Sequence, residues 1–231
     1  MNKIGYFRYL ISIALLLVLA ATGALIPVTG AQAAAHSDEI TTSLPALEEF
    51  IQQVMVVGST QVTGIYAPDL FAIKVIQQPA GNPGFVSTSP DEITQFNMAA
   101  QYGVTGLLAH NHLAGAAFSN LQTGSVVYLV HGDSSLTYYQ ITEIHRYQAT
   151  SPTSPYSNFV DLDDPDHVVI TSTTLFNEVY TQSGRLVLQT CIANGAELSW
   201  GRLFILAEPI TQMELLSNPQ PVDWGVPASS S

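Results

Sequence analysis

Three rhythms of apolar positions follow one another along the chain. Tyr9–Ile26 is almost continuously apolar, preceded by Lys3 and Arg8 and followed by Pro27, Gly30 and Ala31-Gln32-Ala33. A basic start, an apolar stretch and a small-x-small pattern read as an export leader, assigned to residues 1–33. About 18 apolar residues can also span a bilayer as an anchor. Gly23 and Pro27 interrupt the run just before the small residues, which favours cleavage.

The second rhythm is helical. Leu44, Leu47, Phe50, Ile51, Val54 and Met55 recur every three or four residues, with Ser43 as cap, Pro45 in the first turn and Gly58 as terminator. This predicts a helix over Leu44–Val57, inside a segment 34–58 that docks its apolar stripe on the main domain.

From Val62 the period falls to two, and a main domain over residues 59–208 is predicted. Strands are expected at Val62–Ala67, Leu70–Ile76, Val104–Ala109, Ser125–His131, Leu136–Ile144, Val168–Thr171, Arg185–Cys191 and Leu203–Ala207. Ser89-Pro90-Asp91-Glu92 offers a cap, a first-turn proline and an acid three residues on, so a helix is expected there to about Tyr102, ended by Gly103. Leu175–Tyr180 reads as one helical turn. Gly132–Ser135 reads as a hairpin turn, and Ala149–Asp166, rich in Ser, Pro and Asp, as a long loop. The tail from Glu208, with residues 209–231 as a Pro/Ser-rich segment, is expected to lie over the surface or loose. Many short strands and few helices give a mostly β class, a mainly antiparallel barrel or sandwich.

Charge narrows the function. The net charge is −12 with six basic residues, and after the leader only Lys74, Arg146, Arg185 and Arg202 remain. A nucleic-acid surface needs clustered Lys and Arg, so that class is excluded. Membrane contact is expected only through the N-terminal segment.

Chemistry gathers near the C-terminal end. Cys191 is the only cysteine, so no internal disulfide forms, and a lone thiol in an exported protein is either reactive or a buried small hydrophobe. It ends a β-branched strand, and Arg202 opens the next apolar run. A short loop would return a fixed positive charge to the sulfur and favour the thiolate. A proton-handling partner is available in Leu107-Leu108-Ala109-His110-Asn111, where His110 closes a strand. His112 points to the same side of an extended segment, so spacing alone does not separate the two. Arg185 lies at the far end of the Cys strand, about 20 Å from the sulfur at ~3.3 Å per residue, and reads as structural.

The order strand–His–strand–strand–strand–Cys–Arg–strand resembles the sortase family of exported cysteine transpeptidases. Val187-Leu188-Gln189-Thr190-Cys191 is similar to its T-L-x-T-C strand, with Val in place of the first Thr. Ala109-His110 stands where the family has Gly-His. Ala117-Phe118-Ser119-Asn120-Leu121 with Thr123–Leu129 is similar to a further stretch. The likeness spans about Val104–Ala207. It implies a closed sortase-like β-barrel with a few short helices and an additional N-terminal helix. It implies Cys191 as nucleophile, His110 as general acid and base, and Arg202 holding charge on the substrate oxygen. Ala109, Asn111, Leu188 and Thr190 would contact substrate. The partners implied are a protein carrying a sorting-type motif and an amine from protein or peptidoglycan, at the outer face of the membrane or beyond it. No cofactor is required. Some sortases bind calcium near the loop before the Cys strand, but Asp161–Asp166 lacks the spacing of a calcium-hand loop and reads as a solvated acidic loop.

Two other readings use the same residues. Gln189-Thr190-Cys191 with Val130-His131-Gly132 upstream is similar to the caspase-like pattern, although no Gly stands two places after Cys191. Alternatively, Ala109 and Val187 mark a decayed site, and the barrel serves as a surface-binding module.

Overall fold

The computed structural model describes residues 44–217 apart from Pro155. The leader, the Ser43 cap and the tail beyond Ser217 lie outside the described residues. The strands are β1 (Val62–Ala67), β2 (Phe71–Gln77), β3 (Glu92–Gln95), β4 (Thr105–Leu108), β5 (Val126–His131), β6 (Leu136–Ala149), β7 (Asn158–Asp161), β8 (Val169–Thr171), β9 (Leu186–Asn194) and β10 (Glu197–Ile210). Hydrogen-bonded neighbours run β10-β9-β4-β3-β2-β1-β5-β6, and β6 pairs with β10 to close an eight-stranded barrel. β7 and β8 continue outward from the last residues of β6. Within the barrel, β2–β3 and β4–β9 are parallel and the other pairs antiparallel.

Alternation along the strands sorts side chains into two cores. On β9, Leu186 and Leu188 point into the barrel with Ile65, Ile93, Leu107 and Ile205. Val187 points outward and packs with Phe96, Phe204 and Leu206. That outer layer is covered by α3 (Ser172–Tyr180), through Leu175, Phe176, Val179 and Tyr180. Its nine residues exceed the single turn expected, because Thr171 caps it by accepting from the Thr174 amide at 3.1 Å.

The N-terminal helix, α1 (Leu47–Val54), buries Phe50 and Val54 against Tyr66 and Val130. A Cβ at Gly64 would meet the Phe50 ring at 2.8 Å, so a bare backbone on β1 lets the helix sit this close. The helix is shorter than its sequence pattern. The Val56 amide is taken by the Gly132 carbonyl at 3.0 Å, which draws the chain off the helical path and leaves Val57 91% exposed.

The helix expected from Ser89 is absent. Its place is taken by β3 and a four-residue helix, α2 (Asn97–Ala100). Glu92, the acid of the capping signature, instead accepts from the Ser87 hydroxyl at 2.7 Å and pairs with Lys74. Thr94 accepts from the Ser87 amide at 2.8 Å. Ile93 is fully buried inside the barrel. Without β3, β2 and β4 would face a gap in the ladder, and closing that gap outweighs a local helix signal.

Three expected boundaries also move. The long loop contains β7, with Phe159 buried in the outer layer. β6 runs to Ala149 rather than Ile144. β10 begins at Glu197 and ends at Ile210, so Arg202 lies within a strand, and the tail's first residues form β10 and α4 (Gln212–Ser217). Among the described residues no helix is long and apolar enough to cross a membrane.

Candidate active site

β9 and β10 form one hairpin turning at Gly195, whose φ of +59° suits glycine. In its register Cys191 lies directly opposite Arg202. Across the next strand Arg202 pairs with Tyr147, and Tyr147 with Asp161 on β7. On the other side, β4 runs parallel to β9 with Leu108 beside Gln189 as the last rung. His110 and Cys191 are each two residues beyond that rung. Cys191, Arg202 and Tyr147 therefore form a row across three strands on the outer face of the barrel, and His110, just past the end of β4, continues it. Cys191, His110 and Arg202 are 6%, 8% and 1% exposed, so the row is almost sealed.

Backbone contacts fix each member. The Ala109 amide donates to the Gln189 carbonyl at 3.1 Å, continuing the β4–β9 ladder. The His110 carbonyl accepts from the amides of Leu113 and Gly115, both at 3.0 Å. The Thr190 hydroxyl donates to the Ala109 carbonyl at 2.9 Å. Asn111 Nδ2 donates to the Leu198 carbonyl on β10 at 2.9 Å, tying the His turn to the Cys–Arg hairpin. Arg202 donates through one terminal nitrogen to the Ser199 and Gly201 carbonyls, both at 2.8 Å, and its guanidinium carbon lies 6.0 Å over the Phe159 ring.

Burial dominates the electrostatics. It pushes the Cys191 thiol above its ordinary value of 9.0, with Arg202 and a Ser199 hydrogen bond pulling down and Glu197 pushing up. Arg202 favours the thiolate, as expected from its charge, but burial is the larger effect, so Arg202 only moderates the cost of burying sulfur charge. Burial likewise holds His110 below its ordinary 6.5, with the neighbouring His112 adding to the effect and the Val86 backbone opposing it. Arg202 is itself lowered from 12.5 by burial.

Of the residues expected to contact substrate, Leu188 and Ala109 point into the barrel core and cannot do so. Thr190 shares that inner face, and its hydroxyl is used by Ala109. Only Asn111 stands at the rim of the row. Arg185 is structural, paired with Glu208 and with Glu143. His131 is removed from the site. It bonds the Thr60 carbonyl and the Thr137 hydroxyl at the start of β6, ten residues from Tyr147, on the order of 30 Å away. The caspase-like arrangement is thereby overturned.

Carboxylates of the acidic loop already have protein partners. Asp163 is engaged by Arg146 at 2.6 Å, and Asp161 accepts from the amides of Asp163 and Asp164. Among the described residues no three acidic, His or Cys side chains converge as ligands. A groove of about 410 Å³, lined by Ile144, Arg146, Leu203 and Ile205 among others, lies on the opposite face of β10 from Arg202 and is separate from the row.

Sequence reasoning missed Tyr147, Phe159 and Gly115. Alternation in β6 carries the signal for Tyr147, once the strand is extended past Ile144.

No family model matches the chain, and no curated protein matches it. Solved structures do. Sortase C1 of Streptococcus agalactiae, in complex with MTSET, is 17% identical over 69% of this chain and 73% of its own, with a TM-score of 0.41. Sortase C of Clostridium perfringens is 12% identical over 69% and 73%, at 0.40. A lid mutant of sortase A from Corynebacterium diphtheriae is 12% identical over 67% and 73%, at 0.42. The barrel described above is established by its own strand pairings.

Proposed function

We propose that this chain is a sortase-like cysteine transpeptidase, exported and acting on proteins that carry a sorting-type peptide motif. One observation carries the reading: Cys191 sits in register opposite Arg202, with His110 two residues past the last rung of the adjoining strand. A thiol and a guanidinium on paired strands, with an imidazole just past the end of the third, are the parts that acyl transfer needs.

Cys191 sulfur attacks the scissile carbonyl carbon, the peptide C–N bond breaks, and protonated His110 gives its proton to the leaving amine. An incoming amine, from protein or peptidoglycan, attacks the thioester and gives its proton to His110, and the Cys191 sulfur leaves. Arg202 opposes the negative charge on sulfur and on the carbonyl oxygen as it develops. With the thiol raised and the imidazole lowered, both are neutral in most molecules, and the working thiolate–imidazolium pair is a minor form. That fraction is level between the two titrations and falls outside them. kcat/KM is expected to trace a bell, with its acid limb below pH 6.5 and its alkaline limb above pH 9.0.

Intact-mass measurement with an LPxTG-type peptide and a glycine amine tests the reading. Wild type is expected to carry an acyl adduct that Cys191→Ala lacks and that the amine discharges. No adduct, with Cys191 also inert to a methanethiosulfonate reagent, overturns it and leaves a barrel that binds rather than reacts.

A further inference from the structure

The chain carries a second histidine that this mechanism does not use. His112 follows His110 by two residues, their ring centroids are 5.5 Å apart, and the planes are tilted by 40°. His112 is exposed, whereas His110 is 8% exposed and its Nδ1, among the described residues, has no hydrogen-bond partner. Burial is the largest influence on this imidazole and the Val86 backbone opposes it, while His112 is the ionisable ring beside it and adds to the effect of burial.

The elements around His110 bring few other charges. β9 contributes Cys191, and β10 contributes Arg202 and Glu197. The helical turn Ala114–Asn120 carries none. The segment through Val86 leads to Asp91 and to Glu92, and Glu92 is held by Ser87 and Lys74. The Asn111 side chain bridges the turn to Leu198 and approaches His112 Nδ1 at 3.5 Å, which keeps the two rings on one short rigid turn.

We propose that His112 governs the proton occupancy of His110, making the two rings one pH-sensing unit of the site. The assignment of a working role to His110 rests on the transpeptidase reading, whereas the coupling itself does not. A positive charge on the exposed ring opposes a positive charge on the buried one 5.5 Å away. His110 then acquires its proton only at lower pH. The site would hold its activity into mildly acidic conditions and lose it gradually below them.

The test is an NMR titration of the histidine ring resonances in the full chain, with His110→Gln identifying the buried ring. In His112→Gln the His110 midpoint is expected to rise by about 0.5–1 pH unit, the scale of one charge at this distance in a largely aqueous dielectric. In His112→Arg, a fixed charge at the same place, it is expected to fall below wild type. Opposite shifts support the coupling. No shift in either variant, or shifts of one sign in both, overturns it, since a purely structural disturbance has no reason to follow the sign of the charge. Adduct formation is followed on the same samples. Opposite shifts without any adduct would uphold the histidine unit and reject the transpeptidase reading.

Discussion

Arg202→Ala is expected to lower stability by about 2–4 kcal/mol and to slow acylation about 10²–10³-fold. The two effects have separate causes. The side chain is 1% exposed, fills space beside Phe159 and supplies the donor to the Ser199 and Gly201 carbonyls. Alanine leaves a void and two carbonyls short of a partner, partly offset because a charge no longer has to be buried. The kinetic loss comes from charge: with Arg202 gone, only the Ser199 hydrogen bond opposes burial and Glu197 at Cys191, and its thiol rises further. Two more substitutions divide these contributions. Arg202→Met keeps most of the volume and is expected to recover part of the stability but none of the reactivity. Arg202→Lys keeps the charge and is expected to recover part of the reactivity. Denaturant unfolding reads the first, and the pH dependence of iodoacetamide alkylation of Cys191 reads the second. A Met variant alkylated as fast as wild type would show that the guanidinium charge does not act on the sulfur.

How much of this was legible in the sequence depends on the range of the interaction that decides each element. β9 was legible because its β-branched, apolar run is its own signal. Cys191, His110 and Arg202 were legible as residue types at strand ends. What a run of residues cannot display is register. That Arg202 stands opposite Cys191, five residues inside a strand, follows from the hairpin pairing, and a reading that began the strand at Arg202 put a loop where rungs exist. β3 failed for the opposite reason. Ser89, Pro90 and Glu92 form a good local helix start, and barrel closure overrode it through Ile93 and Thr94. Leu188 and Thr190 lie an odd number of positions from Cys191, which in a strand means the opposite face. The thiol's protonation is not legible in the sequence, because a cation's presence can be read there, whereas its balance against burial cannot.

The second large effect concerns a residue with no side chain. A Cβ at Gly115 would lie 2.4 Å from the Thr190 hydroxyl oxygen, 2.8 Å from the His110 carbonyl and 3.0 Å from the Ala109 carbonyl. These contacts join three segments: the turn after His110, the end of β4 and the Cys strand. None is visible locally, since Thr190 and Ala109 are 81 positions apart. Gly115→Ala must therefore break the Thr190–Ala109 bond or push the Ala109–His110 backbone away from β9. Overpacking of this kind costs about 1–3 kcal/mol. The larger consequence is positional, because His110 rides on the displaced carbonyls, and a shift on the order of 1 Å at a catalytic group costs about 10²-fold in rate. Adding Thr190→Ala removes the tightest of the three contacts. The double variant Gly115→Ala/Thr190→Ala is expected to be more active than Gly115→Ala alone, even though Thr190→Ala by itself removes a buried hydrogen bond and is itself impaired. Such sign-reversing non-additivity is expected when two residues compete for one space, and strictly additive losses would show that Gly115 and Thr190 do not hold His110 together.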